Sequence, residues 1–371
     1  MSAPTRFQVD LEALHHNLAV ASALAGGRQV LAPVKANAYG HGLVPVALSI
    51  QERGTAQWLG VALTAEAAEL RAAGVGLPIL KFSPTLDDDL DAAIAADVTL
   101  SIGDRNSIEA AQAAARRAGR VIDVHLKVDT GMRRVGAEPG QVEALTRQIA
   151  AAANLRLQGV FTHLPVSDVA DGDEFTCAQL RAFDAILERI EKLNGPVELV
   201  HAANSGAVLG HDLGRTNLIR PGIMAYGSYP DVVGARGADL RDVGRWTSRV
   251  TFIKRVQAGE SVGYGRTWTA PCDTWIATVA VGYGDGYSRL LSSRGRMLVG
   301  GRSYPIAGRV CMDQTMLDLG PEAPSVSVGD EAVLMGSSGE ERIGVEELAE
   351  LMGTITYEVT CLIAHRVPRS Y

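Results

Sequence analysis

From residue 31 to residue 227 the chain alternates short β-like runs with Ala/Leu/Glu/Arg-rich helical stretches, and this alternation constrains the fold more than any other feature. The runs are LAPVK (31–35), QWLGVAL (57–63), LPILKFS (77–83), VTLSI (98–102), VIDVHLKVD (121–129), LQGVFTH (157–163), VELVHAA (197–203) and LIRPGIMAYG (218–227). Between them lie helical patterns such as TAEAAELRAAG (64–74) and NSIEAAQAAARRAG (106–119), the latter Ala-rich and closed by Gly119, a C-cap signal. Eight β/α units over about 200 residues predict a (β/α)8 barrel. A doubly wound sheet is the alternative, but no GxGxxG follows the first strand.

After Gly227 the texture changes. SYPDVVGARGADLRDVG (228–244) reads as a linker or an exposed loop. Short β runs follow, among them WTSRVTFIKRV, TWIATVAVG, GRMLVGGRSYPIAGRVCM, TMLDLG and DEAVLMG, separated by Gly and Pro. One helical piece, IGVEELAELMG (343–353), precedes a last run, TYEVTCLIAHRV, read as a strand. The domains expected are a barrel over 1–235 and a mainly β domain over 236–371, with the first few residues a candidate strand of the β domain.

A chain of 371 residues is long for a single core, and 47% hydrophobic content argues for a folded protein. The net charge of −7 comes from intermixed acids and bases, with no basic patch for a nucleic acid. The four cysteines, Cys177, Cys272, Cys311 and Cys361, lie far apart without ligand spacing, which suits a reducing compartment. The N-terminal segment has no apolar signal core and no window reaches membrane-span length, so the expected location is the cytoplasm, with no membrane partner.

In a barrel the chemistry gathers where strands end. Lys35 closes the first run and is the second residue of the Gly-rich VKANAYGHG (34–42). A lysine held partly out of water has a lowered pKa and can act as a base or hold an aldehyde as a Schiff base. The rival is a surface lysine closing a strand. Lys127, Asp129 and Arg134 follow run five, His163 closes run six, Asn204 and Ser205 follow run seven, and Arg220 lies within run eight. Each alone has a structural explanation, an ion pair or a hydrogen-bonded core histidine, but they share one rim. Ser205, the backbone near Gly222 and Ile223, and the Tyr39 phenol could point donors at a phosphate. No GxxxxGK[ST] or HExxH is present, and a metal hydrolase built on Asp129, His163 and His201 is the rival from another class.

These residues sit in motifs that resemble the alanine racemase family over almost the whole chain. The motifs include VDLEALHHNL (9–18), VKANAYGHG (34–42), HLKVDTGMRRVG (125–136), THLPVSD (162–168), HAANSG (201–206), IRPGIMAYG (219–227), SVGYG (261–265), VGYGDGYSR (281–289), GRVCMDQTMLDL (308–319), TYEV (356–359) and HRVPRSY (365–371). The resemblance implies pyridoxal 5'-phosphate as cofactor, held by Lys35 as an aldimine, with Tyr264 as the second catalytic base. It implies that Tyr39, Ser205, Gly222, Ile223 and Tyr357 hold the phosphate, that Asn204 also binds the cofactor, that His163 lies beneath the ring, and that Arg220 faces the pyridine nitrogen. Arg134 and Met312 are implied as substrate-binding residues. Lys127 (often carbamylated in the family), Asp168, Tyr283, Arg289, Arg309 and Asp313 are implied as supporting or entrance residues. The implied unit is a head-to-tail homodimer with composite sites, acting on alanine to supply D-alanine for the cell wall. No metal is implied.

Three departures from the family pattern stand out: Arg133 in place of glycine, THLPVSD after the sixth run, and GYGDG in place of GYADG. They bear on the site's entrance and on substrate breadth. The implied chemistry is consistent with these residue types, because moving a proton between two faces of one carbon calls for a base on each face. An arginine cannot accept a proton and disfavours a charged ring nitrogen, which argues for racemisation over decarboxylation on this scaffold. A racemase of broader specificity, a decarboxylase, a non-catalytic cofactor carrier and a cofactor-less β/α protein are the alternatives.

Overall fold

The computed structural model describes residues 3–230 and 238–371. The described residues form two compact units. One comprises Glu12–Ala38 and Gly42–Arg241, and the other comprises Met1–Leu11, Tyr39–His41 and Asp242–Tyr371. The expected boundary at 235/236 falls among residues 231–237, outside the described residues.

The first unit is the barrel. Its strands are β2 (Gln29–Pro33), β3 (Trp58–Val61), β4 (Ile79–Lys81), β5 (Val98–Ile102), β6 (Ile122–Lys127), β7 (Leu155–Phe161), β8 (Leu199–His201) and β9 (Leu218–Ile219). They form one parallel sheet in the order β8-β7-β6-β5-β4-β3-β2-β9. The β8 and β9 edges meet through Asn217 N–H to the Val200 carbonyl (2.9 Å) and Arg220 N–H to the Ala203 carbonyl (2.8 Å). Leu31, Trp58, Leu80, Leu199 and Leu218 pack together with Phe82. The helix Arg105–Arg117 shows how the outer layer is specified locally. Asp104 accepts from Ser107 N–H at 2.8 Å and Gly119 ends the turn at φ 64°. Such a cap contributes about 1 kcal/mol.

The barrel departs from the sequence reading at its eighth strand. That run was expected to extend to residue 227, but β9 stops at Ile219, and a 3₁₀ turn occupies Ile223–Tyr226. Pro221 lacks an N–H for a ladder, and Gly222 turns the chain out of extended geometry. Of the presumed linker, the described flanks are anchored in part, with Ser228, Ala238 and Val243 buried and Asp239, Arg241 and Asp242 exposed. Asn17 is buried, accepts from Arg241 N–H (2.8 Å) and donates to the Arg241 carbonyl (2.9 Å).

The second unit is mainly β. Its large sheet runs in the order β15 (Arg302–Pro305), β14 (Arg296–Val299), β17 (Glu331–Ser338), β10 (Gly244–Val256), β1 (Arg6–Val9) and β19 (Arg369–Ser370), with β13 (Thr274–Val279) and β16 (Thr315–Gly320) paired beyond β10 and β18 (Glu341–Ile343) paired to β17, while β11 (Ser261–Val262) and β12 (Trp268–Thr269) pair apart. Its long strand β10 spans Gly244–Val256, and β1 (Arg6–Val9) lies antiparallel to it. Thus the start of the chain is a strand of this unit. The hairpin β14 (Arg296–Val299) to β15 (Arg302–Pro305) turns through Gly300 and Gly301, both at positive φ, as a two-residue loop demands. A smaller core forms from Val256, Val262, Ala270, Ile276 and Ala307, packed by Trp268 and Met316. The last run is a correction, for Thr356–Cys361 is a helix rather than a strand. Its β-branched and aromatic residues favour a strand. Gly353, at φ 70°, ends the preceding helix Val345–Met352, and the new helix packs beside it with Val359 and Thr360 buried.

Candidate active site

Lys35 does not close a strand. β2 ends at Pro33, and Lys35 opens a left-handed turn over Lys35–Tyr39. Ala36, Asn37, Ala38 and Tyr39 have φ of 53°, 56°, 52° and 54°. This conformation costs an L-residue roughly 1–2 kcal/mol. A run of four without glycine therefore persists only where the surroundings fix it. Part of that fixing is local. Ala38 N–H donates to the Val34 carbonyl (2.7 Å), Gly42 N–H to the Asn37 carbonyl (2.8 Å), and Leu43 N–H to Asn37 Oδ1 (2.8 Å). Lys35 itself is half-buried, its Nζ 5.9 Å from the Phe82 ring centroid.

Arg220 follows β9 directly and is buried. It donates to the Thr162 carbonyl (2.8 Å) and the Ala202 carbonyl (2.9 Å), with its Nη1 2.9 Å from His201 Nδ1 and its Nη2 3.4 Å from His163 Nδ1. Burial lowers its guanidinium to about 9, so it remains a cation at neutral pH. Because Arg220 can only donate, His201 Nδ1 accepts, and the His201 proton lies on Nε2. That nitrogen lies 2.9 Å from His125 Nδ1, whose partner nitrogen faces Gln158 Oε1 at 3.4 Å. A relay of two buried imidazoles thus runs from Arg220 into the barrel. Burial is the main force keeping both neutral; it lowers His125 to about 4 and pushes His201 well down, with Arg220 adding repulsion.

His163 is held neutral in the same way. Burial and then Arg220, Arg134, Lys127 and Lys35 push its pKa well below the usual imidazole value. Lys127 falls to about 8, chiefly by burial, with Arg134 and Arg220 also lowering it and Asp129 opposing. These mutual influences bring Lys35, Lys127, Arg134 and Arg220 into one cationic group around the neutral His163 at the rim. Since both ring nitrogens of His201 are engaged, the rival metal site loses one of its three ligands.

The expected phosphate donors partly converge. Ser205 begins the helix Ser205–Gly210 after β8, and Gly222 precedes the 3₁₀ turn Ile223–Tyr226 after β9. Ser205 Oγ accepts from Met224 N–H at 3.3 Å, which sets these two first turns side by side. Asn204 is committed elsewhere. Its Oδ1 accepts from Ala207 N–H (3.1 Å) and from Ser167 Oγ (2.7 Å), and its Nδ2 donates to the Leu164 carbonyl (2.9 Å). It shapes the loop as a cap. A Cβ on Gly206 would stand 2.8 Å from Ser167 Oγ and 2.9 Å from Asp168 Cβ, so THLPVSD packs against this turn and Asp168 supports it.

The remaining site residues belong to the β unit. Tyr39, buried, lies with its ring centroid 6.0 Å from that of Tyr357. Burial, with Cys361 adding to it, raises the Tyr39 phenol pKa, so it is a donor at neutral pH. Tyr264 is 73% exposed, which leaves its hydroxyl outside any packed pocket of its own unit. The Arg309 guanidinium runs past the neighbouring Gly265. Tyr283, Arg289, Met312 and Asp313 are all exposed. The Tyr283 and Gly284 N–H groups bond the Cys311 and Met312 carbonyls at 3.0 and 2.8 Å. Arg366, given no role from sequence, bridges Asp313 (2.7 Å) and Asp285 (2.8 Å). The departures from the family pattern are accommodated. Arg133 sits at φ 59°, where glycine is easy, and pairs with Glu138 at 2.8 Å. A Cβ on Gly284 would stand 2.7 Å from Arg366 Nη2.

His125 and His201 were unassigned or misassigned from sequence, yet a signal existed. His125 is two residues from Lys127 on β6, so alternation puts both on one face of the strand.

A parallel barrel with a lysine and a buried arginine at the C-terminal rim, in a chain with a mainly β second unit, defines the class of barrel-plus-β-domain enzymes that the motifs implied. Family models for the alanine racemase N-terminal domain and C-terminal domain match residues 9–230 and 243–371. The alanine racemase of Cutibacterium acnes is 49% identical over 366 residues, covering 99% of this chain and 97% of that protein. That of Desulforamulus reducens is 40% identical and covers 100% of both chains. The solved alanine racemase of a D-cycloserine-producing Streptomyces lavendulae superposes with a TM-score of 0.92 at 35% identity, over 100% of this chain and 97% of that one. The chain belongs to the alanine racemase family, a family of pyridoxal-phosphate-dependent racemases. No helix among the described residues is long and apolar enough to cross a membrane.

Proposed function

We propose that the protein interconverts L-alanine and D-alanine with pyridoxal 5'-phosphate as cofactor, working in the cytoplasm to supply D-alanine for cell-wall synthesis. The observation that carries this reading is the group of Lys35, Lys127, Arg134 and Arg220 around a neutral His163 in a chain of this family. The donor set fits the cofactor. Lys35 offers an amine to an aldehyde, Ser205 and the turns at Gly222 and Ile223 offer donors to a phosphate, and Arg220 offers N–H groups to a ring nitrogen. When bound, pyridoxal phosphate supplies the electron sink for the broken bond to the α-hydrogen.

This chain's residues do the rest. Lys35 Nζ moves the α-proton on one face, and Tyr264 Oη moves it on the other. Arg220, already bonded to two carbonyls and His201, is a rigid cation with no proton to accept, so it keeps the ring nitrogen unprotonated and the sink shallow. A neutral His163 would help hold the cofactor without adding charge beside it. Arg134 and Met312 bind the substrate carboxylate, and Arg134 also bonds the catalytic tyrosine. Asn204 orders the phosphate turn, and Tyr39 and Tyr357 add phenols to it. Lys127, lowered to about 8, keeps a neutral fraction at physiological pH, the form that can take up carbon dioxide as a carbamate. Asp168, Tyr283, Arg289, Arg309 and Asp313 support the site or its entrance. The exposure of Tyr264 supports a head-to-tail homodimer in which each tyrosine serves the other chain's lysine.

The test is a racemisation panel on purified protein, with L- and D-alanine, serine, lysine and arginine, read beside the visible spectrum. A yellow protein that equilibrates alanine fastest is expected. A colourless protein without turnover, or one releasing carbon dioxide, would overturn the reading.

A further inference from the structure

The left-handed turn that presents Lys35 is braced by a side chain outside the site described so far. Glu66 stands in the first turn of the helix Thr64–Ala72. Its Oε1 accepts from Ala36 N–H at 2.6 Å, the N–H of the peptide that begins at the Lys35 carbonyl. Its Oε2 accepts from Ala62 N–H (2.8 Å) and Leu63 N–H (3.0 Å). One carboxylate therefore ties the end of β3, which holds Ala62 and Leu63 just beyond it, to the first residue of the left-handed run. The β2 and β3 ladders already hold the chain up to Val34, whose N–H bonds the Gly60 carbonyl at 2.8 Å. From Ala36 onward the backbone is left-handed. The Glu66 bond lies at the point where the two conformations join, and that point carries Lys35. Three N–H groups converge on two oxygens, near the positive end of a helix, so the ionised carboxylate is the form that serves them all.

We propose that Glu66 is a positioning residue for Lys35: its carboxylate pins the Lys35–Ala36 peptide to the β3 end, and so aims the Lys35 amine at the cofactor and the α-carbon. Glutamine has one acceptor oxygen, and its amide would set a donor against a backbone N–H. Glu66→Gln can satisfy Ala62 and Leu63 or Ala36, but not both. This proposal rests on the cofactor reading above, and its test separates the two.

The holoenzyme, Glu66→Gln and Asp104→Ala are compared. Asp104→Ala removes an N-cap of similar kind on the helix Arg105–Arg117, away from Lys35. The readouts are melting temperature, the pH at which the visible band titrates, the rate at which added hydroxylamine strips the cofactor, and kcat with KM for alanine. Expected for Glu66→Gln are a shifted titration of the visible band, faster stripping, and a kcat lower by about 10- to 100-fold with KM changed less, as for a small misplacement of a reacting group. Asp104→Ala should lose comparable melting temperature with the parent spectrum and kcat. If the parent lacks a visible band, the cofactor reading fails. If the parent is yellow and active while Glu66→Gln matches Asp104→Ala in spectrum, stripping rate and kcat, Glu66 is only a cap and the proposal is overturned.

Discussion

The two units treat their reactive side chains in opposite ways. In the barrel, Lys127, His125, His201 and Arg220 are buried, bonded to one another or crowded by like charge, with lowered proton affinities. In the β unit, Tyr264, Tyr283 and Met312 are 73%, 44% and 53% exposed. A barrel rim closed by eight strands can hold cations out of water because the parallel ladder and Arg220's carbonyl partners lock them. The β unit offers its residues on short turns above a sheet. The difference teaches that a closed barrel can keep cations and neutral imidazoles out of water, whereas side chains carried on short turns stay open to solvent.

The largest test of that division is complementation. Lys35→Ala and Tyr264→Phe are each expected to lower racemisation by about 10³-fold or more, since each removes one of the two proposed acid–base groups. Mixing the two inactive chains under exchange should restore activity in proportion to the mixed dimer. No recovery in verified mixed dimers would place both bases on one chain and break the comparison.

Acid should separate the units next. An imidazole whose folded pKa is depressed stays neutral in the native state while the unfolded chain takes up its proton. Stability is therefore lost as pH falls below about 6.5, and the loss continues until the folded group titrates, near 4 for His125. The slope is about 1.4 kcal/mol per pH unit for each such histidine. In the β unit, Arg245 holds the Glu331 carboxyl below its ordinary value, so that group's contribution is present above about 4.5 and lost only at lower pH. Hydrogen exchange at pH 5 should show barrel amides losing protection first. Earlier loss in the β unit would reverse the assignment.

The smallest effects come from two glycines. A Cβ on Gly159 would stand 2.7 Å from three atoms of the His125 ring, which the relay holds in place. Gly159→Ala should cost about 1–3 kcal/mol by overpacking. Gly284→Ala restores the usual family residue; its Cβ meets Arg366 Nη2 at 2.7 Å, the end of a side chain tied to Asp285 and Asp313, and the Met312 carbonyl oxygen at 3.0 Å. It should cost about 0.5–1 kcal/mol and leave kcat/KM nearly unchanged. Chemical denaturation of both variants checks the ranking, and equal losses would mean that the β unit is as rigid here as the barrel.

Much of this was legible from residues alone, because its causes are local. Alternating β and helical runs and Ala-rich helices closed by Gly119 are set by periodicity and backbone preference within a few residues, whereas the run GRMLVGGRSYPIAGRVCM, read as one, is split by the Gly300–Gly301 turn into two paired strands. Candidate lysines, histidines and arginines at run ends followed from the same pattern, and their proposed roles followed from family motifs. What failed was equally physical. The Thr356–Cys361 helix has strand-favouring residues and is helical because it packs beside Val345–Met352. The eighth run breaks at Arg220, where Pro221 and Gly222 outweigh its apolar character. Only the tertiary structure could show that Lys35 rides a left-handed turn without glycine, that Glu66 reaches that turn from another β/α unit, and that Arg220, His201 and His125 form one chain of bonds. Those partners lie 30, 19 and 76 residues apart. Sequence patterns report which residues can bury or turn, but hydrogen bonds across a closed barrel depend on which strands the sheet brings together.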